Sequence, residues 1–362
     1  MKVCHVTSVH ALTDGRIFEK ECCSLARLGY EVFLVGVGRS ELKNGVHIVG
    51  VDSKQSNRVY RFLCLDKKVI DTALLLNCDV YHLHDPELLR FAMQIKKQGH
   101  KVIFDSHEDV PRQILSKYWI PKFLRKSVSY LYEKREKQIC NRIDFVVSAT
   151  ESIRDAFRKY GIRSEAIFNY PVIGDEKRRA SLGNSMLCFA GSLSESNGIP
   201  ELIDIVNELK DVHLTLAGNF EPSVEQYFHE HKNDRIHYVG VLSRNDVDEL
   251  YLRSSLGVVV DLPNGNNIDG LPIKLFEFMK FGLPILTSDF PIRRKIFEEF
   301  NCGRLVSPYD KKAYMNAIGA MLQNHEECKR AADNGVLATR TVFNWEKQEE
   351  KLGKIYEELK NE

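Results

Sequence analysis

The chain has 362 residues, 43% hydrophobic and 28% charged, which excludes a disordered or low-complexity protein and suits two domains of ordinary size. Lys and Arg number 51 against 50 for Asp and Glu, so the net charge of +1 gives no global case for a nucleic-acid partner. Nine cysteines without a CxxC pair read as reduced thiols of a cytoplasmic protein, and the first apolar run starts at Val3, too early for a signal peptide. No window approaches the ~20 apolar residues of a membrane span.

Short β-branched runs alternate with amphipathic stretches, the pattern of βαβ units on parallel sheets. Strands are expected at Lys2 to Thr7, Glu31 to Val37, Val46 to Val51, Val80 to His84, Lys101 to Ser106 and Phe145 to Ala149. A helix is expected from Arg16 to Leu28, closed by Gly29. Residues 169–185 are polar, carry Pro171, Gly174 and Gly183, and lack either period, so they read as a linker between domains at 1–168 and 186–341. A second alternation runs through strands near Leu187, His213, Ile236, Leu256 and Pro284. The last stretch, 342–362, predicts a helix that packs back on the first domain through Trp345, Leu352 and Ile355. Two doubly wound parallel sheets joined in this way are expected to face a central cleft where ligands bind.

No GxGxxG follows the first strand, and no P-loop, HExxH or EF-hand pattern occurs. Any phosphate chemistry is therefore expected to rest on protein cations and helix N-termini, with no metal and no cofactor. The informative block is DGLPIKLFEFMKFGLPILTSDFP, from Asp269 to Pro291. Pro272 suits the first turn of a helix whose buried stripe includes Ile273, Leu275, Phe276 and Met279. Lys274 then shares a turn with the free amides, an anion site. Asp269 and Glu277 supply acceptor-only carboxylates suited to sugar and ribose hydroxyls, or else form a solvated face with an N-terminal cap.

Asp269, seven residues, Glu277, then Gly282-Leu283-Pro284-Ile285 resembles the signature of the GT-B glycosyltransferases of family 4, retaining enzymes that use nucleotide sugars. DGRIFEKECCSLARLGYEV from Asp14, YHLHDPELL from Tyr81 and FDSHEDVP from Phe104 are similar to a bacterial branch concerned with surface polysaccharides. The resemblance implies two Rossmann-like domains. It implies that Glu277 binds the nucleotide ribose, that Asp269 lies beside the donor sugar, and that His107 lines the reaction site. Gly15 matches the loop that approaches the diphosphate, Leu275 is expected among the donor contacts, and Lys274, Arg16 and Arg244 are expected to substitute for cations that this chain lacks at Ser192 and Asn197. The donor is a UDP- or GDP-linked sugar used as substrate, and the acceptor a saccharide or a lipid-linked saccharide.

Two departures stand out. Where the family carries an Arg and a Lys in the first turn of the second domain, AGSLSESNG places Ser192 and Asn197, and Asp269 replaces the usual Glu. These departures make a non-catalytic partner subunit one rival reading; a nucleotide-sugar epimerase, which shares the two-domain plan, is the other. Residues 111–140 carry eight cations against two carboxylates, with Trp119, Phe123, Tyr130 and Leu131 interleaved. This segment reads either as a solvated helix with aromatics turned inward or as a face for an anionic membrane, which would make the protein peripheral at the inner leaflet.

Overall fold

A computed structural model describes residues 1–53, 57–117, 120–174 and 179–362, and divides them into two compact units. Unit 1 comprises residues 1–169 together with 345–362; unit 2 comprises 170–344. The expected Trp119 lies outside the described residues.

The first eight strands are β1 (Lys2–Val6), β2 (Glu31–Val37), β3 (Glu41–Lys43), β4 (Val46–Val51), β5 (Val80–Leu83), β6 (Lys101–Ser106), β7 (Phe145–Ser148) and β8 (Ser164–Ala166). They form one sheet in unit 1, ordered β3-β4-β2-β1-β5-β6-β7-β8, parallel throughout except for the β3–β4 edge pair. Central strands such as VYHL at Val80 are buried on both faces, as parallel strands covered by helices must be. The sequence direction reverses between β2 and β5 on either side of β1, so loops after β1, β5 and β6 converge at one end of the sheet.

In unit 2 the strands are β9 (Met186–Ala190), β10 (His213–Ala217), β11 (Ile236–Tyr238), β12 (Leu256–Val259), β13 (Ile285–Ser288) and β14 (Gly303–Val306). Their order is β11-β10-β9-β12-β13-β14, all parallel, and Leu187, Phe189, Leu214, Leu256 and Leu286 centre the core. Of the expected linker, Asn169 belongs to unit 1 and the described residues from Tyr170 onward belong to this unit. Tyr170 packs edge-on against Phe276, and the amides of Ala180 and Ser181 donate to the carbonyls of Phe281 and Leu252, both at 2.8 Å.

The last helix, Trp345–Asn361, packs in unit 1. Trp345, Leu352, Ile355 and Tyr356 join the core formed by Val3, Ile17, Leu25 and Val32, and the Trp345 indole donates to Ser24 Oγ at 2.8 Å. The expected helix after Arg16 begins with a wide turn, Ile17–Cys22, before the α-helical Cys23–Arg27. Its amides reach back five residues, Glu19 to Asp14 and Glu21 to Arg16. Among the described residues no helix is long and apolar enough to cross a membrane.

Candidate functional site

In unit 1 the pairing of β1 with β5 sets His5 directly beside His82. Alternation along the strand carries His84 to the same face as His82. The three ring centroids lie within 5.1 Å of one another, with His84 stacked on both His5 and His82, and all three are fully or almost fully buried. His5 Nδ1 and His84 Nε2 are 2.8 Å apart, and the Tyr356 hydroxyl lies 2.9 Å from His82 Nδ1. His84 Nδ1 continues the chain to His107 Nε2 at 3.3 Å. Burial lowers the pKa of His5, His82 and His84, so these three rings are neutral.

Asp105, at the end of β6, anchors His107 with Oδ2 at 3.1 Å from Nε2. Arg16 meets the same carboxylate with two nitrogens, at 2.9 and 3.0 Å, gives a third to the Ile167 carbonyl at 2.7 Å, and has Nε 3.0 Å from Glu21 Oε1. Burial works against ionising Asp105, but Arg16 and His107 outweigh it and hold its pKa well below the ordinary range. Glu21 goes the other way: burial and the Asp105 charge raise its pKa, so one carboxyl is ionised and its neighbour protonated. Arg16, expected on a diphosphate, is thus buried and engaged within its own unit. Gly15 precedes it on an exposed turn that Asp14 Oδ1 closes by accepting from the Arg16 and Ile17 amides. A Cβ at Gly15 would meet only Glu19 Oε2, at 3.8 Å.

Donor atoms of His5, Glu21, His82 and His84 lie within 4.8 Å of one another, as do those of His84, Asp105 and His107. The histidine nitrogens stand 3.9 to 4.0 Å from Glu21 Oε2, whereas zinc–ligand bonds of ~2.0 to 2.1 Å put tetrahedral ligands about 3.3 Å apart. The Arg16 cation already stands against Glu21, which disfavours a metal cation there, and both Glu21 carboxyl oxygens are buried without a hydrogen-bond partner.

In unit 2 the Ile273–Phe281 helix starts after Pro272, which is the cap residue rather than part of the expected first turn, and no side chain caps its amides. Gly282, at φ 64°, ends it. Lys274 is half-buried, its Nζ 4.1 Å from the centroid of the Phe189 ring and close against Gly191. A Cβ at Gly191, where φ is 148°, would come within 3.3 Å of that Nζ. Burial lowers the pKa of Lys274, opposed by Asp261 and Glu277.

Glu277 is buried, accepts from the Tyr251 hydroxyl at 3.0 Å and pairs with Arg244. Leu275, expected among the donor contacts, faces the core, and its amide donates to the Pro272 carbonyl. Asp269 stands on an exposed turn after the short Gly265–Ile268 helix. Asn197 Nδ2 donates to the Ser192 carbonyl at 2.7 Å, so the two uncharged replacements close the turn on itself. Arg293 and Asp261, which sequence reasoning passed over, form a fully buried pair at 2.5 Å, with Thr287 Oγ1 2.7 Å from the other guanidinium nitrogen. An Asp246-Val247-Asp248 tripeptide is also present, but it lies in the Arg244–Arg253 helix. There Asp246 contacts Ser243 at 2.6 Å and Asp248 faces Arg244 at 3.4 Å.

The Lys122–Cys140 helix buries Ser129, Glu136, Ile139 and Cys140 and leaves Phe123, Tyr130 and Leu131 exposed at 81%, 63% and 64%. These three are not turned inward.

Residues 17–169 match the family model described as Glycosyltransferase Family 4, and residues 175–337 that described as Glycosyl transferases group 1. The MMP alpha-(1->4)-mannosyltransferase of Mycolicibacterium hassiacum is 22% identical over 76% of this chain and 70% of its own length. The alpha-D-kanosaminyltransferase of Streptomyces kanamyceticus is 22% identical over 62% of this chain and 63% of its own. Among solved structures, sucrose-phosphate synthase from Thermosynechococcus elongatus superposes with a TM-score of 0.79 at 15% identity, covering 99% of this chain and 98% of that one. HepE from Anabaena, in complex with UDP and glucose, gives 0.75 at 14% identity, covering 99% and 100%.

Proposed function

We propose, for a chain that belongs to the GT-B glycosyltransferases of family 4, that it moves a hexose-type sugar from a UDP- or GDP-linked donor to a saccharide or lipid-linked saccharide acceptor. The transfer retains configuration, needs no metal and serves surface-polysaccharide synthesis at the inner face of the cell membrane. The observation that carries the donor half is Lys274, an ammonium held between Phe189 and Gly191 beside uncapped helix amides. When the sugar–phosphate bond breaks, its electron pair stays on the departing diphosphate, and a preorganised, partly desolvated cation stabilises that charge more than water does. The acceptor oxygen bonds the anomeric carbon from the face the diphosphate leaves, and its proton passes to a diphosphate oxygen. Glu277 accepts ribose hydroxyls, and His107, oriented through Asp105, serves the acceptor side. The UDP-glucose complex of HepE supports this donor class.

A non-catalytic partner subunit is the second reading, favoured by the neutral Ser192–Asn197 bridge. The test is thermal-shift screening against UDP, GDP and their sugars, then donor consumption with and without membrane extract. Lys274→Ala should lower turnover by about two orders of magnitude, as removal of one preorganised donor does. Asn197→Ala should change it little. Full turnover in Lys274→Ala would remove the lysine from the mechanism; absence of turnover with every donor and acceptor would leave the partner reading.

A further inference from the structure

Unit 1 contains a cavity of about 1250 Å³ that the donor chemistry does not use. His107 and His10 line it, together with side chains from the Arg61–Leu65 turn and from the Val110–Ser116 and Lys122–Cys140 helices. Its wall is largely hydrocarbon, supplied by Phe62, Leu89, Ile114, Val128 and Ile139 among others. Polar side chains also reach the wall, but several are engaged with one another, Arg61 with Glu87, His10 with Asp85 and Gln113 with Glu108, and the hydrocarbon between them offers no partner for a saccharide hydroxyl. Phe62 and Leu63 stay 46% and 65% exposed at the cavity, apolar surface of the kind that marks a binding site.

The polar groups on the same wall are specific. Lys117 and Arg135 form no ion pair among the described residues. Glu136 is only 6% exposed, and its Oε1 has no hydrogen-bond partner. Burial, reinforced by Asp109 and Glu133, pushes its pKa up to about 8, so near neutral pH it is a carboxylic acid able to donate to an anion.

We propose that this cavity binds the hydrocarbon chain of a lipid phosphate or diphosphate, the carrier end of the acceptor. The chain lies against Phe62, Ile114 and Val128, and the phosphate faces Lys117, Arg135 and Glu136. This rests on the glycosyltransferase reading above and deepens it. The lipid is recognised in a protein cavity beside His107, not only through the surface of the bilayer that holds it.

The probe is farnesyl diphosphate, measured by calorimetry on the full chain below its micellar concentration, with farnesol and inorganic diphosphate as its two halves. Farnesyl diphosphate should bind at least about tenfold more tightly than either half. Val128→Trp, which fills the cavity, should weaken it about tenfold, and the Lys117→Glu/Arg135→Glu pair should weaken farnesyl diphosphate but not farnesol. Equal affinity for farnesyl and inorganic diphosphate, no binding, or displacement by UDP would overturn the proposal, the last because the probe would then occupy the donor site. UDP titration in the same samples keeps the two readings apart. Failure to bind UDP while farnesyl diphosphate still binds counts against the donor site alone, and the reverse counts against the cavity alone.

Discussion

Arg16 and Asp105 meet as a buried fork, the guanidinium placing Nε 2.9 Å from Oδ2 and Nη2 3.0 Å from Oδ1. The positive charge that sequence reasoning sent toward a diphosphate instead fixes the carboxylate that orients His107. Removing it leaves Asp105 ionised and buried without its main partner. Arg16→Ala should therefore cost about 3 to 5 kcal/mol of stability in urea unfolding, and Arg16→Lys, which keeps the charge but loses the fork, should cost less. An Arg16→Ala protein of full stability with lost turnover would place the residue on substrate instead.

Glu277 has two partners in place, Tyr251 and Arg244, so its carboxylate is aimed before any ribose arrives. Charge-assisted hydrogen bonds of about 1.5 to 3 kcal/mol predict that Glu277→Ala weakens UDP binding at least about tenfold by calorimetry. Tyr251→Phe removes one orienting donor and should cost about fivefold, near 1 kcal/mol. Unchanged affinity in folded Glu277→Ala would make this carboxylate structural.

The neutral histidine chain makes stability depend on acid. Burial lowers the pKa of His5, His82 and His84 in the folded state, whereas the unfolded chain protonates them near their ordinary value of about 6.5. Below that pH the unfolded state binds more protons, so stability falls as pH falls. Glu136 acts in the opposite direction. With its folded pKa at about 8 against a usual 4.5, it contributes stability below pH 4.5 that is lost as pH rises toward 8. Urea midpoints across pH 5 to 9 should show both limbs, with His82→Gln shallowing the acid limb and Glu136→Gln the alkaline one. A flat profile, or limbs unmoved by these substitutions, would assign the dependence to other groups.

Exposed Phe123, Tyr130 and Leu131 interleave with Lys122, Arg125 and Lys126 on one helix. At about 1 kcal/mol per cation near an anionic leaflet, reversing those three charges should reduce vesicle partitioning at least about a hundredfold. Phe123→Ser should weaken binding without changing its salt dependence. Equal partitioning onto neutral and anionic vesicles would exclude an electrostatic membrane face.

Elements that carry their own periodicity were legible in the sequence. Glu31–Val37, Val46–Val51 and Lys101–Ser106 were readable to the residue because their β-branched runs are bounded by turn residues. Gly303–Val306 was not, since a four-residue edge strand with a half-buried Arg304 shows no apolar run. In the site, Lys274 and Glu277 could be found from one helix. The His5–His82 contact could not, because it depends on register between strands 77 residues apart; the period-two spacing of His82 and His84 was the available signal. Asp105 and Tyr356 acquire their roles only once tertiary packing brings them to that cluster.

The route of the chain also sets an order of assembly. Unit 2 is continuous in sequence, whereas unit 1 waits for Trp345 to fill its core and for Tyr356 to reach His82. During synthesis from the N-terminus, the domain begun first is therefore completed last, and until then its histidine face lacks the helix that closes it. A chain released before residue 345 carries a complete unit 2 and an unfinished unit 1, whose apolar face is left without the Trp345, Leu352 and Ile355 side chains that cover it.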